Sequence, residues 1–246
     1  MATRLSSIAI DCNDPRSLGT WWSETLGWVE VAPPDPRDFQ IADPDADAWT
    51  PTLLFLPSTD PKLTKNRVHL DLASRDFDDR DAFTASLIAR GATSCDIGQS
   101  DVPWIVLADP EGNEFCVLDP RDRYQTGGRL ASIVIDSVDL QRQTELWEQI
   151  SGWTICYRSQ HTLSLHSPSD RLPDIDFVSN REPKAAKLRV HIDVEPLDGS
   201  SVEAEAERLR ALGARDIDIG QHDDSDIDWI VLVDPFGYEF CVVPAM

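Results

Sequence analysis

Hydrophobic and polar positions along this chain follow two periods. From Ser7 to Cys12 they alternate, with Ile8 and Ile10 on one face, which predicts a half-buried strand. Asp14-Pro15 supplies an N-cap and a proline at the first helical position. Leu18, Trp22 and Leu26 then recur at helical spacing, and Gly27 stops the helix. Further on, Asp139 caps a second helix with Trp147 and Ile150 in its stripe. Ser200-x-x-Glu203 reads as a capping box before Val202, Ala206, Leu209 and Leu212, with Gly213 as the stop; Asp81 to Arg90 is its counterpart. Asp109-Pro-Glu-Gly112 and Asp234-Pro-Phe-Gly237 predict type I turns in two hairpins.

The pattern occurs twice. Leu107-Ala-Asp-Pro-Glu-Gly-Asn-Glu-Phe-Cys-Val117 returns as Leu232-Val-Asp-Pro-Phe-Gly-Tyr-Glu-Phe-Cys-Val242, and Arg67-Val-His-Leu-Asp71 as Arg189-Val-His-Ile-Asp193. Leu5 to Asp14 matches Leu130 to Asp139. The order is the same in both copies, and the length changes fall between predicted elements, where loops tolerate them. Two homologous domains are expected, 1–120 and 129–246, joined by a polar, Gly-ended linker over 121–128. Each copy reads as strand, helix and strands, repeated, so each domain is predicted to hold two βαβββ units side by side.

Composition narrows the partners. Of 246 residues, 41% are hydrophobic and 27% charged, an ordinary globular mix. The longest apolar runs, such as Thr52 to Leu56 and Trp104 to Ala108, are strand-sized, and the N-terminus meets charge and proline too early for a signal segment. A cytoplasmic protein with no membrane partner is expected. The formal net charge of -22 argues against nucleic acid, and the best basic cluster, Lys62 to Arg67, holds three cations. Five cysteines without a Cys-x-x-Cys give no disulfide or zinc-ribbon framework.

Strand alternation selects the candidate chemistry. Arg67, His69 and Asp71 share one strand face, and Arg189, His191 and Asp193 repeat it. Such a row can line a pocket, where Arg holds an anionic oxygen and His moves a proton; it can equally be a solvated face. Cys116 and Cys241 stand at identical positions and read as small buried hydrophobes. Trp104 and Trp229 enter the strand before each hairpin and are candidates for a stacking wall. His161 and His166 have no counterpart in the first copy and read as surface or loop residues; His222 falls in an acidic loop. Asp35 to Asp47 reads as a solvated flap.

The Asp-Pro helix ending in Leu-Gly-Trp, the Asn66-Arg-Val-His-Leu-Asp71 strand and the Asp109-Pro-Glu-Gly-Asn-Glu-Phe-Cys116 hairpin together resemble the glyoxalase-like domains of the vicinal oxygen chelate superfamily. That superfamily includes glyoxalase I, extradiol dioxygenases and bleomycin-resistance binding proteins. The resemblance implies an α+β fold of two tandem domains, in each of which paired βαβββ units form a cupped mixed sheet with ligand or metal on the concave face. It also implies four ligand places per copy: Ser7, near Phe55, His69 and Cys116 in the first, and Ser132, near Asp176-Phe177, His191 and Cys241 in the second. Glu114 and Glu239 remain contributors. One His and one Cys make an incomplete set for a divalent ion, so no cofactor is predicted. The leading expectation is small-molecule binding without a catalytic metal, the ligand being an antibiotic-like or aromatic compound, with Ser7, Arg67, Asp71, Trp104, Cys116, Ser132, Arg189, Asp193, Trp229 and Cys241 as ligand-binding residues. The alternative is a lyase, isomerase or oxygenase using His69 and His191 as acid/base groups or metal ligands. A monomer with pseudo-dimeric domain pairing is expected, the second copy being the degenerate one.

Overall fold

The computed structural model describes residues 3–99, 102–182, 184–220 and 228–245. His222 and its acidic loop lie outside them. In chain order the elements are β1 (Thr3–Cys12), α1 (Pro15–Leu26), β2 (Val29–Val31), β3 (Phe39–Ala42), β4 (Thr52–Pro57), β5 (Val68–Leu72), α2 (Phe77–Ala89), β6 (Thr93–Ser94), β7 (Ile105–Ala108) and β8 (Glu114–Val117). A short 3-10 turn, Asp122–Tyr124, precedes the second set. That set is β9 (Leu130–Ser137), α3 (Leu140–Ser151), β10 (Thr154–Arg158), β11 (Thr162–His166), β12 (Asp174–Ser179), β13 (Val190–Pro196), α4 (Val202–Ala211), β14 (Arg215–Asp216), β15 (Ile230–Val233) and β16 (Glu239–Val242).

The expected caps form. Asp14 accepts from the Ser17 backbone N–H at 3.0 Å, and Gly27 closes α1 at φ 72°. The last helix is capped one residue later than expected, by Ser201 accepting from the Ala204 N–H at 3.2 Å. Asp76 caps α2, which starts before Asp81. The stretch from Asp35 to Asp47 is not a single flap: it contains β3, whose Phe39 and Ile41 are buried in the core while the acidic residues flank it.

The α+β architecture of repeated βαβββ units stands, but the units pair across the halves. One eight-stranded sheet runs β14-β15-β16-β13-β1-β4-β3-β2 and the other β10-β11-β12-β9-β5-β8-β7-β6. The first strand of the chain therefore pairs antiparallel with β13 of the second copy, and β9 with β5 of the first. The expectation that each half folds its own sheet is corrected: each sheet takes one unit from each copy. Sheet one denotes that with β1 and β13; sheet two, that with β9 and β5.

The helices bridge the two sheets within each copy. The α1 ring of Trp22 packs edge-on to Phe115 of sheet two at 5.3 Å, although α1 follows β1 of sheet one. In mirror fashion Trp147 of α3 meets Phe240 of sheet one at 5.5 Å. Apolar residues of both sheets and all four helices thus form one continuous core. Two separate cores, as two independent domains would have, are not present among the described residues. Gly19 marks how closely α1 approaches β3, since an added methyl would overlap the Phe39 ring. Gly19→Ala is expected to lower unfolding free energy by about 1–3 kcal/mol in urea titration, because overpacking outweighs the ~1 kcal/mol helix-propensity gain.

Candidate functional site

With Ile8, Ile10, Val68, Leu70, Val190 and Ile192 turned into the core, strand alternation sends the polar partners to the opposite face of each sheet. In sheet two, Ser132 is level with Asp71 and Asp174, and Asp71 with Cys116; Val134 is level with His69 and Asp176. In sheet one, Ser7 is level with Thr52 and Asp193, and Asp193 with Cys241, while His191 is level with Ala9. Ser7 therefore joins His191 and Cys241, and Ser132 joins His69 and Cys116. That is a correction to the copy-by-copy sets, and its cause is the exchanged pairing.

Each face gathers the same three donors. Ligand atoms of His69, Asp71 and Cys116 lie within 4.8 Å of one another, and so do those of His191, Asp193 and Cys241. The His Nε2 to Asp Oδ1 separations are 3.6 Å and 3.5 Å. Counting His and Cys alone had left the set incomplete; strand parity supplies the Asp as a third donor.

The two faces differ in how their polar atoms are satisfied. In sheet one the Ser7 hydroxyl donates to Asp193 at 2.7 Å. In sheet two His69 Nδ1, Asp71 Oδ1, Ser132 Oγ and Asp176 Oδ1 are all buried without a hydrogen-bond partner. Over this floor lies the linker. Tyr124 is buried in a small apolar cluster with Ala73, Cys116, Leu118 and Ala131, flanked by Trp104, Val106 and Leu172. Its hydroxyl donates to Asp176 at 3.2 Å. Arg123 binds Asp174 and approaches Asp176 to 3.6 Å. Trp104, one of the two proposed wall residues, thus borders this floor; Trp229 is 37% exposed just before β15.

Burial sets the protonation states. It pushes His69 down to about 4, so the imidazole is neutral at pH 7. Burial, with the Asp176 charge added, pushes Asp71 up to about 7. The group poised near neutrality is therefore Asp71 rather than His69. Burial also drives the Cys116 and Cys241 thiols well above their usual range, with neighbouring Asp71 and Asp193 adding to it. Neither is a ready nucleophile in that state.

Arg67 and Arg189 lie at the rim and are engaged. Arg67 meets Asp136 at 3.3 Å and Glu182 at 3.7 Å. Arg189 meets Glu111 at 3.0 Å, and its Nε donates to the side-chain Oδ1 of Asn113 at 3.1 Å. Glu114 and Glu239 receive Lys62 and Lys184 at 2.7 Å and 2.6 Å, which ties the loops before β5 and β13 to the sheets. Lys65–Asp136 at 3.0 Å and Lys187–Asp11 at 2.8 Å repeat that tie. The basic cluster seen in the sequence is thus neutralised by buried carboxylates. Asp174 and Tyr124 are absent from the sequence-based set, and Asp176 enters it only through the place near Asp176-Phe177 that the resemblance implies. Parity with Ser132 could have flagged the two aspartates, whereas nothing local marks Tyr124 as a lid.

Comparison with known proteins agrees with this fold. The family model described as "Glyoxalase-like domain" matches residues 7–118 and again 132–243. Glyoxalase I from Zea mays has a similar fold, with TM-score 0.65 at 15% identity over 98% of this chain and 92% of that one. A putative dioxygenase from Bacillus subtilis subsp. subtilis str. 168 is similar at TM-score 0.59 and 13% identity, over 98% and 84%. Comparison with curated proteins gives no match. No helix among the described residues is long and apolar enough to cross a membrane. Two matched copies, the βαβββ units and the shared polar faces together make the chain a member of the glyoxalase-like domain family.

Proposed function

We propose that the chain binds a small molecule rich in hydrogen-bond donors on the polar face of sheet two. The observation that carries this reading is the set of four unpartnered buried atoms on one floor: His69 Nδ1, Asp71 Oδ1, Ser132 Oγ and Asp176 Oδ1. An unmade buried hydrogen bond costs about 1–3 kcal/mol, so four together point to a ligand that completes them. A polar floor under Tyr124, Trp104 and Leu172 has the make-up of a small-molecule site. The floor offers two carboxylates, a hydroxyl and a neutral imidazole. Its complement is an amine- or hydroxyl-bearing ligand, with an aromatic ring meeting the wall. Sequestration needs nothing more; if turnover follows, Asp71 is the proton-transfer group.

A second reading rests on the triad occurring twice. One imidazole, one carboxylate and one thiol, with Asp71 Oδ1 and Asp193 Oδ1 unpartnered, fit a divalent ion. Three protein donors with a free position match catalytic zinc, and sulfur in the set favours zinc over harder ions. His69, Asp71 and Cys116 would hold it in one face, His191, Asp193 and Cys241 in the other. A bound ion would polarise a substrate carbonyl or lower the pKa of a bound water. Ser132 and Asp176 would then orient the substrate on sheet two, and Tyr124 would exclude water.

Melting temperature of EDTA-treated protein tests both readings, against a panel of aromatic amines and against Zn2+. A ligand at a hundredfold its Kd adds about 2.7 kcal/mol. Asp71→Asn should abolish the amine-dependent rise. A rise that persists undiminished in Asp71→Asn rejects the sheet-two site.

A further inference from the structure

The sequence leads one to expect His166 on the surface or in a loop. It instead ends β11 partly buried, with Nδ1 against the Asp174 carboxylate of β12. Cys156 of β10 faces the same place. Ligand atoms of Cys156, His166 and Asp174 lie within 4.8 Å of one another. We propose that these three residues form a separate transition-metal site, zinc by preference, on the outer strands of sheet two.

Three observations carry it. First, the thiol is aimed by a backbone irregularity. Thr154 is level with His166 and Tyr157 with Ser164, which leaves a register shift between Ile155 and Tyr157 where Cys156 is the extra residue. A β-bulge re-aims a side chain, and here Ile155 packs on the core while the Tyr157 ring lies 5.3 Å from the Arg123 guanidinium on the polar face. The equivalent β2–β3 pair has no such shift, and its register positions hold Ala42 and Thr52 in place of His166 and Asp174. The site is therefore particular to one unit rather than a by-product of the repeat.

Second, the donors suit the ion. One N, one O and one S with an open fourth place are ligands that zinc accepts, and tetrahedral bonds of about 2.0–2.3 Å need only small side-chain adjustments from the present spacing. Third, outer partners are in position. Asp170 Oδ1 lies 3.7 Å from His166 Nε2, the nitrogen left free when Nδ1 binds, and Arg123 holds the second oxygen of Asp174. Binding releases the Cys156 thiol proton to solvent, so affinity rises with pH.

Cys156 is exposed, which makes it readable by alkylation. The full-length EDTA-treated protein is exposed to iodoacetamide with and without one equivalent of Zn2+, and Cys156 labelling is followed by peptide mass spectrometry. Zn2+ should slow labelling roughly tenfold or more, since the bound thiolate is no longer a free nucleophile. His166→Gln should remove that protection, while Cys116→Ser and Cys241→Ser, which empty the other two thiol positions, should leave it. Co2+ should give a thiolate charge-transfer band that weakens in Cys156→Ser. Equal labelling rates with and without Zn2+ overturn the site, as does protection that survives His166→Gln.

Discussion

Asp71→Asn should give metal-free protein whose stability climbs as pH rises from about 4 to 6.5, a window in which these groups leave the wild-type chain level. Asp71 binds its proton more tightly folded than unfolded, from 3.8 to about 7, so it contributes stability at low pH that is lost as pH rises through about 7. His69 is shifted the other way, from 6.5 to about 4, so its contribution is present above 6.5 and lost as pH falls through about 4. Between about 4 and 6.5 the folded pair carries one proton on Asp71, and the unfolded pair one on His69. The proton counts match and the slopes cancel. Removing the Asp71 proton site exposes the His69 slope alone, roughly 3 kcal/mol across the window at 1.36 kcal/mol per unit. His69→Gln should show the mirror image, stability falling as pH rises towards about 7. Urea unfolding at several pH values reads both. Profiles of the two variants that run parallel to the wild type would sink the account of this floor.

Asp234→Ala is expected to cost about 3–5 kcal/mol, because it strands four donors at once, three of them buried. One oxygen of this buried carboxylate accepts the Phe236 and Tyr238 backbone N–H groups, each at 2.9 Å. The other accepts from Gln143 at 3.0 Å and from the Trp147 indole at 3.2 Å. The residue therefore holds the turn of sheet one and clamps α3, which packs on β11 and β12 of sheet two. Burial raises its pKa, which marks a desolvation cost, yet truncation recovers that cost only by leaving the donors unmade. Asp234→Asn keeps one acceptor oxygen and should lose about half as much. Asp109→Ala should behave alike, since Asp109 accepts from Glu111, Asn113 and the Trp22 indole in the other copy. A loss below about 1 kcal/mol for Asp234→Ala would show that the turn holds without its carboxylate.

The same aspartates show what was legible. Asp-Pro-x-Gly predicted the type I turn, and Gly112 N–H indeed donates to the Asp109 carbonyl at 2.9 Å. Its second task, receiving a tryptophan from a helix 87 residues away, has no local signal. The His69–Asp71 row was visible because alternation is local. Cys116 was visible as a position, but its company was not, since Ser132 arrives from the other copy. Cys156 was invisible as a ligand because a bulge breaks the alternation on which the reading relies. Tyr124 was placed in a linker, and only the folded chain turns that linker into a lid.

Local periodicity, caps and the repeat are properties of neighbouring residues, and for that reason the sequence by itself determined the βαβββ units, their polar and apolar faces and the family. Which unit pairs with which was decided only by the tertiary structure. Arg67-Val-His-Leu-Asp71 and Arg189-Val-His-Ile-Asp193 offer β1 nearly identical edges, so strand pairing alone is close to degenerate. What joins the units is long-range packing that neighbouring residues do not encode: Trp22 on Phe115 and Trp147 on Phe240 each tie the two units of one copy together across different sheets.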